Sequence, residues 1–338
     1  MPDRDTVTGD GCILLFGMPR SGTTWIGKLF DSHPDVLYRH EPDSWSPLAM
    51  PRDPSLDDAA DHARELQEFV ARLPDIRAQR VAGKRPLFAK AYMSTPRARL
   101  MDVGVEFARV VSRFYPDFPV LFHVNARRYA DRRIVWKSIN SLGRLGTALT
   151  VLPEARGVHL LRHPCGYIAS VNRGLAGNSF SSANSNSEDY GIFAAVEGTP
   201  LGERYGIAID RMKTLTPVER LAWRWVLINE KAWRESRDTG RYHCVYYEDV
   251  CRAPETRLRA LFDACGLSWN EQTADFVARS TRSARSGYYS VYKDPEISAW
   301  RWREELDADT VEKVMAIVAR SEIGAPYMTM QPPAEHAR

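Results

Sequence analysis

The order of hydrophobic patterns predicts an α/β fold, a three-layer sandwich in which a central parallel sheet is flanked by helices. Three observations carry the prediction. Short strand-like apolar runs alternate along the chain with longer stretches of helical period. The first run, "CILLF", ends in a glycine-rich turn that opens directly into a helix-like segment, the kind of junction at which parallel sheets build ligand sites. No internal repeat and no linker-like break divides the 338 residues. A single domain over 1–338 is therefore expected, with a core over residues 11–320.

The strand candidates, in order, are Cys12–Phe16, Val36–Tyr38, Ile134–Lys137, Val158–Leu161 and His243–Tyr246. A helix over Thr24–Asp31 follows the first strand, and another begins after Pro164. The stretch "PVERLAWRWVLINEKAW" puts Leu221, Trp225, Ile228 and Ala232 on one helical face. Pro254–Cys265 and Ala308–Val318 also read as helices, with Pro254 suited to a first helical position and Asp309 near a positive helix end. Two segments read as irregular. Residues 41–57 are rich in Pro, Asp and Ser, and residues 174–215 include "GNSFSSANSNSEDYG". The second is long for a bare loop, so a lid or substrate-binding role is expected of it.

Composition narrows the function. A formal net charge of +3 gives no ground for a nucleic-acid partner. No basic region followed by a signal-type apolar core occurs early, and the apolar run near the start is far too short to span a bilayer. A cytoplasmic protein without membrane insertion is expected. The five cysteines form no C-x-x-C pair and read as reduced, structural thiols. Nothing in the sequence speaks to oligomeric state.

The turn "GMPRSGTTW", residues 17–25, carries the chemistry. Gly17 and Gly22 have the G-x-x-x-x-G spacing of a nucleotide-binding P-loop, so the fold is expected to be P-loop-like. The position that needs lysine is Thr23, and Arg20 stands inside the loop instead. Backbone N–H groups over Ser21, Gly22, Thr23 and Thr24 would attract an oxyanion. Arg20 adds a rigid fork of donors, and Trp25 is placed to stack on a base. A ligand with less charge than a triphosphate suits such a loop, which argues against a nucleotide kinase or NTPase. Farther on, Arg162 ends a strand and Ser170 follows it by eight residues on the next helix, a pair that can grip a terminal phosphate. His159 and His163 straddle a strand-to-turn boundary and share no helix face, so no metal role is expected. "WRWR", residues 300–303, reads as packing at a helix start rather than as a base-stacking surface.

Together these stretches carry a resemblance. "PRSGTTW" resembles the 5′-phosphosulfate-binding loop of the sulfotransferases that use 3′-phosphoadenosine 5′-phosphosulfate (PAPS) and release PAP. "VHLLRHPCGYIASVNRG", 158–174, is similar to that family's 3′-phosphate segment, R-x7-S. "YHCVYYEDVCRAPETRLRALFDACGL", 242–267, resembles its Y-E-D…P segment, which implies that Tyr247 lies against the adenine. "RSARSGYYSVYKDPEISAW", 282–300, resembles the loop that covers PAPS and implies Lys293 near the phosphates. Lys137, in "RIVWKS", resembles the family's catalytic lysine, although Ile139 stands where the cytosolic branch has histidine. "DSHPDVLYRHEP", 31–42, is similar to the tyrosylprotein and carbohydrate branches and implies Glu41 as general base, with His40 as the alternative. The resemblance implies a PAPS-dependent sulfotransferase with Glu41, Arg20 and Lys137 in the chemistry, no metal, and a small-molecule, sugar or peptide hydroxyl as acceptor. The alternatives are a non-catalytic PAP- or nucleotide-binding P-loop protein and a nucleotide kinase with an atypical P-loop.

Overall fold

The structure is a computed structural model and describes residues 11–115, 118–121, 133–176, 188–282 and 295–331. Five strands, β1 (Cys12–Phe16), β2 (Val36–His40), β3 (Arg133–Ser138), β4 (Arg156–Leu161) and β5 (Tyr242–Tyr246), form one sheet in the order β2-β3-β1-β4-β5. Every pairing is parallel. Because both faces of such a sheet are covered, its strands are apolar almost throughout. In β1 the residues Cys12, Leu14 and Phe16 enter one core, and Ile13 and Leu15 enter the other.

The helices follow in chain order. α1 (Thr23–Ser32), α2 (Pro42–Trp45), α3 (Ala63–Arg72), α4 (Gln79–Ala82) and α5 (Thr95–Val111) precede β3. α6 (Leu145–Val151) precedes β4, and α7 (Pro164–Ala176), α8 (Gly191–Val196), α9 (Pro200–Tyr205), α10 (Ile209–Thr214) and α11 (Pro217–Ser236) precede β5. α12 (Tyr247–Arg252), α13 (Pro254–Ala264), α14 (Glu271–Arg282), α15 (Pro295–Trp300), α16 (Trp302–Glu305) and α17 (Ala308–Val318) complete the chain. α3, α6, α7, α11 and α17 supply one core, and α1, α13 and α14 supply the other. This is the expected three-layer α/β arrangement.

The differences from the sequence reading have local causes. β2 runs two residues past Tyr38, because Arg39 and His40 break the apolar run yet still pair with Trp136 and Lys137. Arg39 is buried, and its guanidinium donates to the carbonyls of Leu73, Tyr38 and Pro74. The irregular reading of 174–215 is corrected: α8, α9 and α10 occupy much of it. Each is six residues long, too short for a periodic signal. They are held by burial of Ile192, Phe193, Val196, Tyr205 and Met212 in the core that α11 shares. Residues 177–187 lie outside the described residues. The segment 41–57 is likewise not irregular throughout, since it opens with α2. The core reaches beyond residue 320, to Ile323 and Tyr327.

Candidate active site

Five parallel strands point their carboxyl ends at one edge, where open α/β sheets collect ligands. The residue after each of four strands is a singled-out one: Gly17 after β1, Glu41 after β2, Arg162 after β4 and Tyr247 after β5. From β3, Lys137 pairs in register with Leu15 and His40. The sheet therefore brings together residues that lie more than two hundred positions apart.

The loop after β1 wraps closely. A Cβ on Gly17 would lie 2.7 Å from the Leu160 carbonyl oxygen. Gly22 has φ +89°, and a Cβ there would lie 2.5 Å from the Tyr247 ring. No other residue type fits without movement. Gly22 also begins α1, with no side-chain cap and no acidic residue in the first turn. The first N–H groups of α1 thus carry the positive end of the helix toward the loop.

Arg20 and Glu41 are the non-glycine residues with positive φ among those described, at 72° and 49°. The Arg20 Nε donates to Ser170 Oγ at 3.0 Å. Arg162 donates through Nη1 to the Arg20 carbonyl and through Nη2 to the Ser298 carbonyl, both at 2.7 Å. Its buried Nε has no partner. The Tyr247 ring lies over the Arg162 guanidinium, 5.0 Å from its centroid. Arg20, Ser170, Arg162, Tyr247 and Gly22 are thus one connected unit.

Trp25 lies behind this unit rather than open to a ligand. It is 9% exposed, donates through Nε1 to Ser280 Oγ at 3.1 Å and meets Tyr247 edge to face. These contacts brace the helix that carries the loop. Ser21 and Thr23 are buried and Thr24 is partly exposed. Lys293 lies outside the described residues.

On the other side of the loop, Lys137 forms an ion pair with Glu41. Lys137 is 1% exposed, and burial lowers its pKa while Glu41 opposes the shift. The Glu41 N–H donates to the Lys137 carbonyl at 2.8 Å, so backbone and side chain are both tied to β3. His40 Nε2 lies 3.7 Å from the Glu41 carboxylate, and its Nδ1 shares a 2.8 Å hydrogen bond with the Tyr38 hydroxyl. Burial first, then the lysines at 137, 84 and 28, push the His40 pKa well below its usual value. His40 is thus held in its neutral form beside the Glu41–Lys137 pair.

Several supporting residues were not singled out from the sequence. Asp43 accepts hydrogen bonds from the Trp136 indole and from the hydroxyls of Ser138 and Ser141, which clamps the β2–α2 corner onto β3. Glu248 is buried and accepts from the His163 N–H at 2.9 Å, fixing the turn beside Arg162. Burial raises its pKa to about 7. Gly27 lets the Tyr38 hydroxyl approach α1, since a Cβ there would lie 2.6 Å from it. Only the "YED" triplet hinted at any of these, because each acts through contacts between distant segments.

His159 bonds to the Tyr242 hydroxyl and the Asn229 side chain, and Trp302 stacks on His163 with ring centroids 4.4 Å apart. Among the described residues no cluster of His, Cys, Asp and Glu is arranged to hold a metal ion. Among them, too, no helix is long and apolar enough to cross a membrane. None of the five cysteines forms a disulfide.

Human carbohydrate sulfotransferase 6 is 24% identical over 91% of this chain and 78% of its own length. Mouse carbohydrate sulfotransferase 5 is 25% identical over 90% of this chain and 78% of its own. A solved sulfotransferase from Alicyclobacillus acidocaldarius aligns over 94% of this chain and 96% of its own, at 14% identity and a TM-score of 0.44. The sequence profile described as "Sulfotransferase family" matches residues 12–199, which is more than half of the chain and includes the loop after β1, Glu41, Lys137, Arg162 and Ser170. A match of that extent over those residues makes this chain a member of the sulfotransferase family, and its activity is that of a transferase.

Proposed function

We propose that the protein moves the sulfuryl group of PAPS to a hydroxyl of a carbohydrate by in-line displacement, with Glu41 as general base. The observation that carries the reading is the pair of charged residues held in left-handed backbone, Arg20 and Glu41, on two loops of one sheet edge. Strain of this kind persists where function needs it. The sugar class is supported by the two carbohydrate sulfotransferases that match about nine-tenths of the chain.

The residues fit the donor. The uncapped start of α1 and Arg20 suit the 5′-phosphosulfate. Ser170 and Arg162, with its partnerless buried Nε, suit the 3′-phosphate that ATP lacks. Tyr247 lies beside them for the adenine, and the resemblance adds Lys293. When bound, PAPS supplies a sulfuryl group already activated on a phosphate leaving group. Glu41 takes the proton of the acceptor hydroxyl as its oxygen bonds to sulfur. Protonation of Glu41 removes the counter-charge of Lys137, whose ammonium then faces the charge growing on the departing phosphate oxygen. Arg20 neutralises the same charge from the loop side.

The test has two arms. PAP should raise the melting temperature more than ATP with magnesium does, and Arg162→Ala should weaken PAP binding by about 1.5–3 kcal/mol. Equal shifts for PAP and ATP would remove the donor assignment. Labelled PAPS offered with a panel of sugars, phenols and tyrosyl peptides then reads the acceptor. Transfer to none of them, with PAP still bound, would favour a non-catalytic binding protein.

A further inference from the structure

α5 carries more apolar surface than its own packing uses. Its inner face, Gly104, Val105 and Ala108, is buried in a small core with Val120. A second stripe faces outward: Leu100, Val103, Phe107, Val110 and, just past the helix end, Phe114. These are 46%, 66%, 51%, 53% and 80% exposed. Their spacing alternates three and four, the a/d seam of a helix that packs on another helix along its length. Exposed apolar patches of this size on a soluble surface mark interaction sites.

The charges along the stripe say what covers it. On the flank away from the inner face, Arg99, Asp102 and Glu106 lie in the amino-terminal half, Arg109 lies in the last turn, and Arg113 stands in the turn just past the helix end. A parallel neighbour of the same sequence would set this flank against the opposite one, where Gly104 and Val111 stand, and leave its charges without partners. An antiparallel one sets this flank against itself, so that Glu106 of each copy approaches the basic end of the other. With Phe107 packed on the partner's Val110, Val103 meets the partner's Phe114, and Glu106 lies beside the partner's Arg113. Arg99 falls near the end of this overlap. Glu106 already pairs with Arg85 and Arg109, but all three are exposed enough for such pairs to re-sort at little cost. The pattern is self-complementary, as a two-fold interface requires. Alternating signs also suit an anionic membrane poorly, since the acids would be repelled.

We propose that α5 pairs with α5 of a second copy of this chain, antiparallel, to form a two-fold dimer.

The experiment is sedimentation equilibrium of the full chain up to about 100 µM, a range that captures micromolar association. A dimer is expected. Phe107→Arg should raise its dissociation constant roughly 30-fold or more, as loss of a central aromatic anchor does. Its far-UV circular dichroism and melting curve should stay those of a folded chain. Arg113→Glu should weaken the dimer, and adding Glu106→Arg to it should restore the dimer. A wild-type chain that stays monomeric at the highest concentration overturns the proposal. So does a dimer that survives Phe107→Arg, because the contact then lies elsewhere. Failure of the double charge reversal to restore association removes the antiparallel register. A monomer that instead co-sediments with anionic phosphatidylglycerol vesicles gives the stripe to a membrane and sinks the dimer.

Discussion

Arg20 and Glu41 each hold a backbone conformation that costs an L-residue about 1–2 kcal/mol. At Glu41 the return is position: its carboxylate is aimed along the sheet edge and clamped by Lys137, with His40 and Tyr38 behind it. Glu41→Gln keeps the shape and removes the proposed base. Turnover is expected to fall roughly 10²–10⁴-fold, while calorimetry of PAP binding returns an affinity near the original. The variant also leaves Lys137 buried without its counter-charge, so its melting temperature should drop as well. Full turnover would take the base role from Glu41 and return it to His40. Loss of PAP binding would make Glu41 a structural residue.

At the scale of elements, the loop after β1 and the start of α12 work as one piece. Tyr247 occupies the space that a Cβ on Gly22 would need, and Gly22 has a φ that other residues avoid. Gly22→Ala meets both obstacles, and a cost of about 1–3 kcal/mol is expected from the backbone alone. PAP affinity should fall further than stability does, because the displaced N–H groups are the proposed anion site. Adding Tyr247→Ala relieves the collision but not the φ, so it should recover part of the stability and little of the binding. Thermal melts with and without PAP read both quantities. If Gly22→Ala bound PAP normally, the loop would not be the phosphate cradle.

Across the whole molecule, the turn beside Arg162 links stability to pH in two opposite senses. Burial lowers the pKa of His159 to about 4 and of His163 to about 3, from an ordinary 6.5. The unfolded chain takes up those protons first, so stability is lost as pH falls from about 6.5 toward 3. Glu248 runs the other way. Its folded pKa is about 7 against an ordinary 4.5, so its contribution is full below 4.5 and is lost as pH rises through 7. Glu248→Gln keeps an acceptor for the His163 N–H and cannot ionise. Denaturant unfolding at pH 5 and pH 8 should show a smaller loss across that interval for Glu248→Gln than for the wild-type chain. Equal losses would mean that Glu248 is already ionised in the fold.

The sequence by itself determined the class of fold and the order of its strands along the chain, because apolar period and glycine–proline punctuation are local properties. It also marked Arg20, Glu41 and Arg162, which stand at junctions of strand and turn, and Ser170 by its spacing from Arg162, while Lys137 and Tyr247 were marked through the family resemblance. It read α8, α9 and α10 as irregular, because helices of six residues are stabilised by burial against other segments and leave no period to read. It cut β2 short at Tyr38, because a buried Arg39 looks polar until the carbonyls of Leu73 and Pro74 are seen to accept its donors. Only tertiary structure decided that Trp25 is a brace, that Asp43 and Glu248 hold the two sides of the site, and that Ser170 receives Arg20 from 150 residues away. Those are long-range contacts, and the free energy that selects them comes from neighbours that a linear pattern does not name.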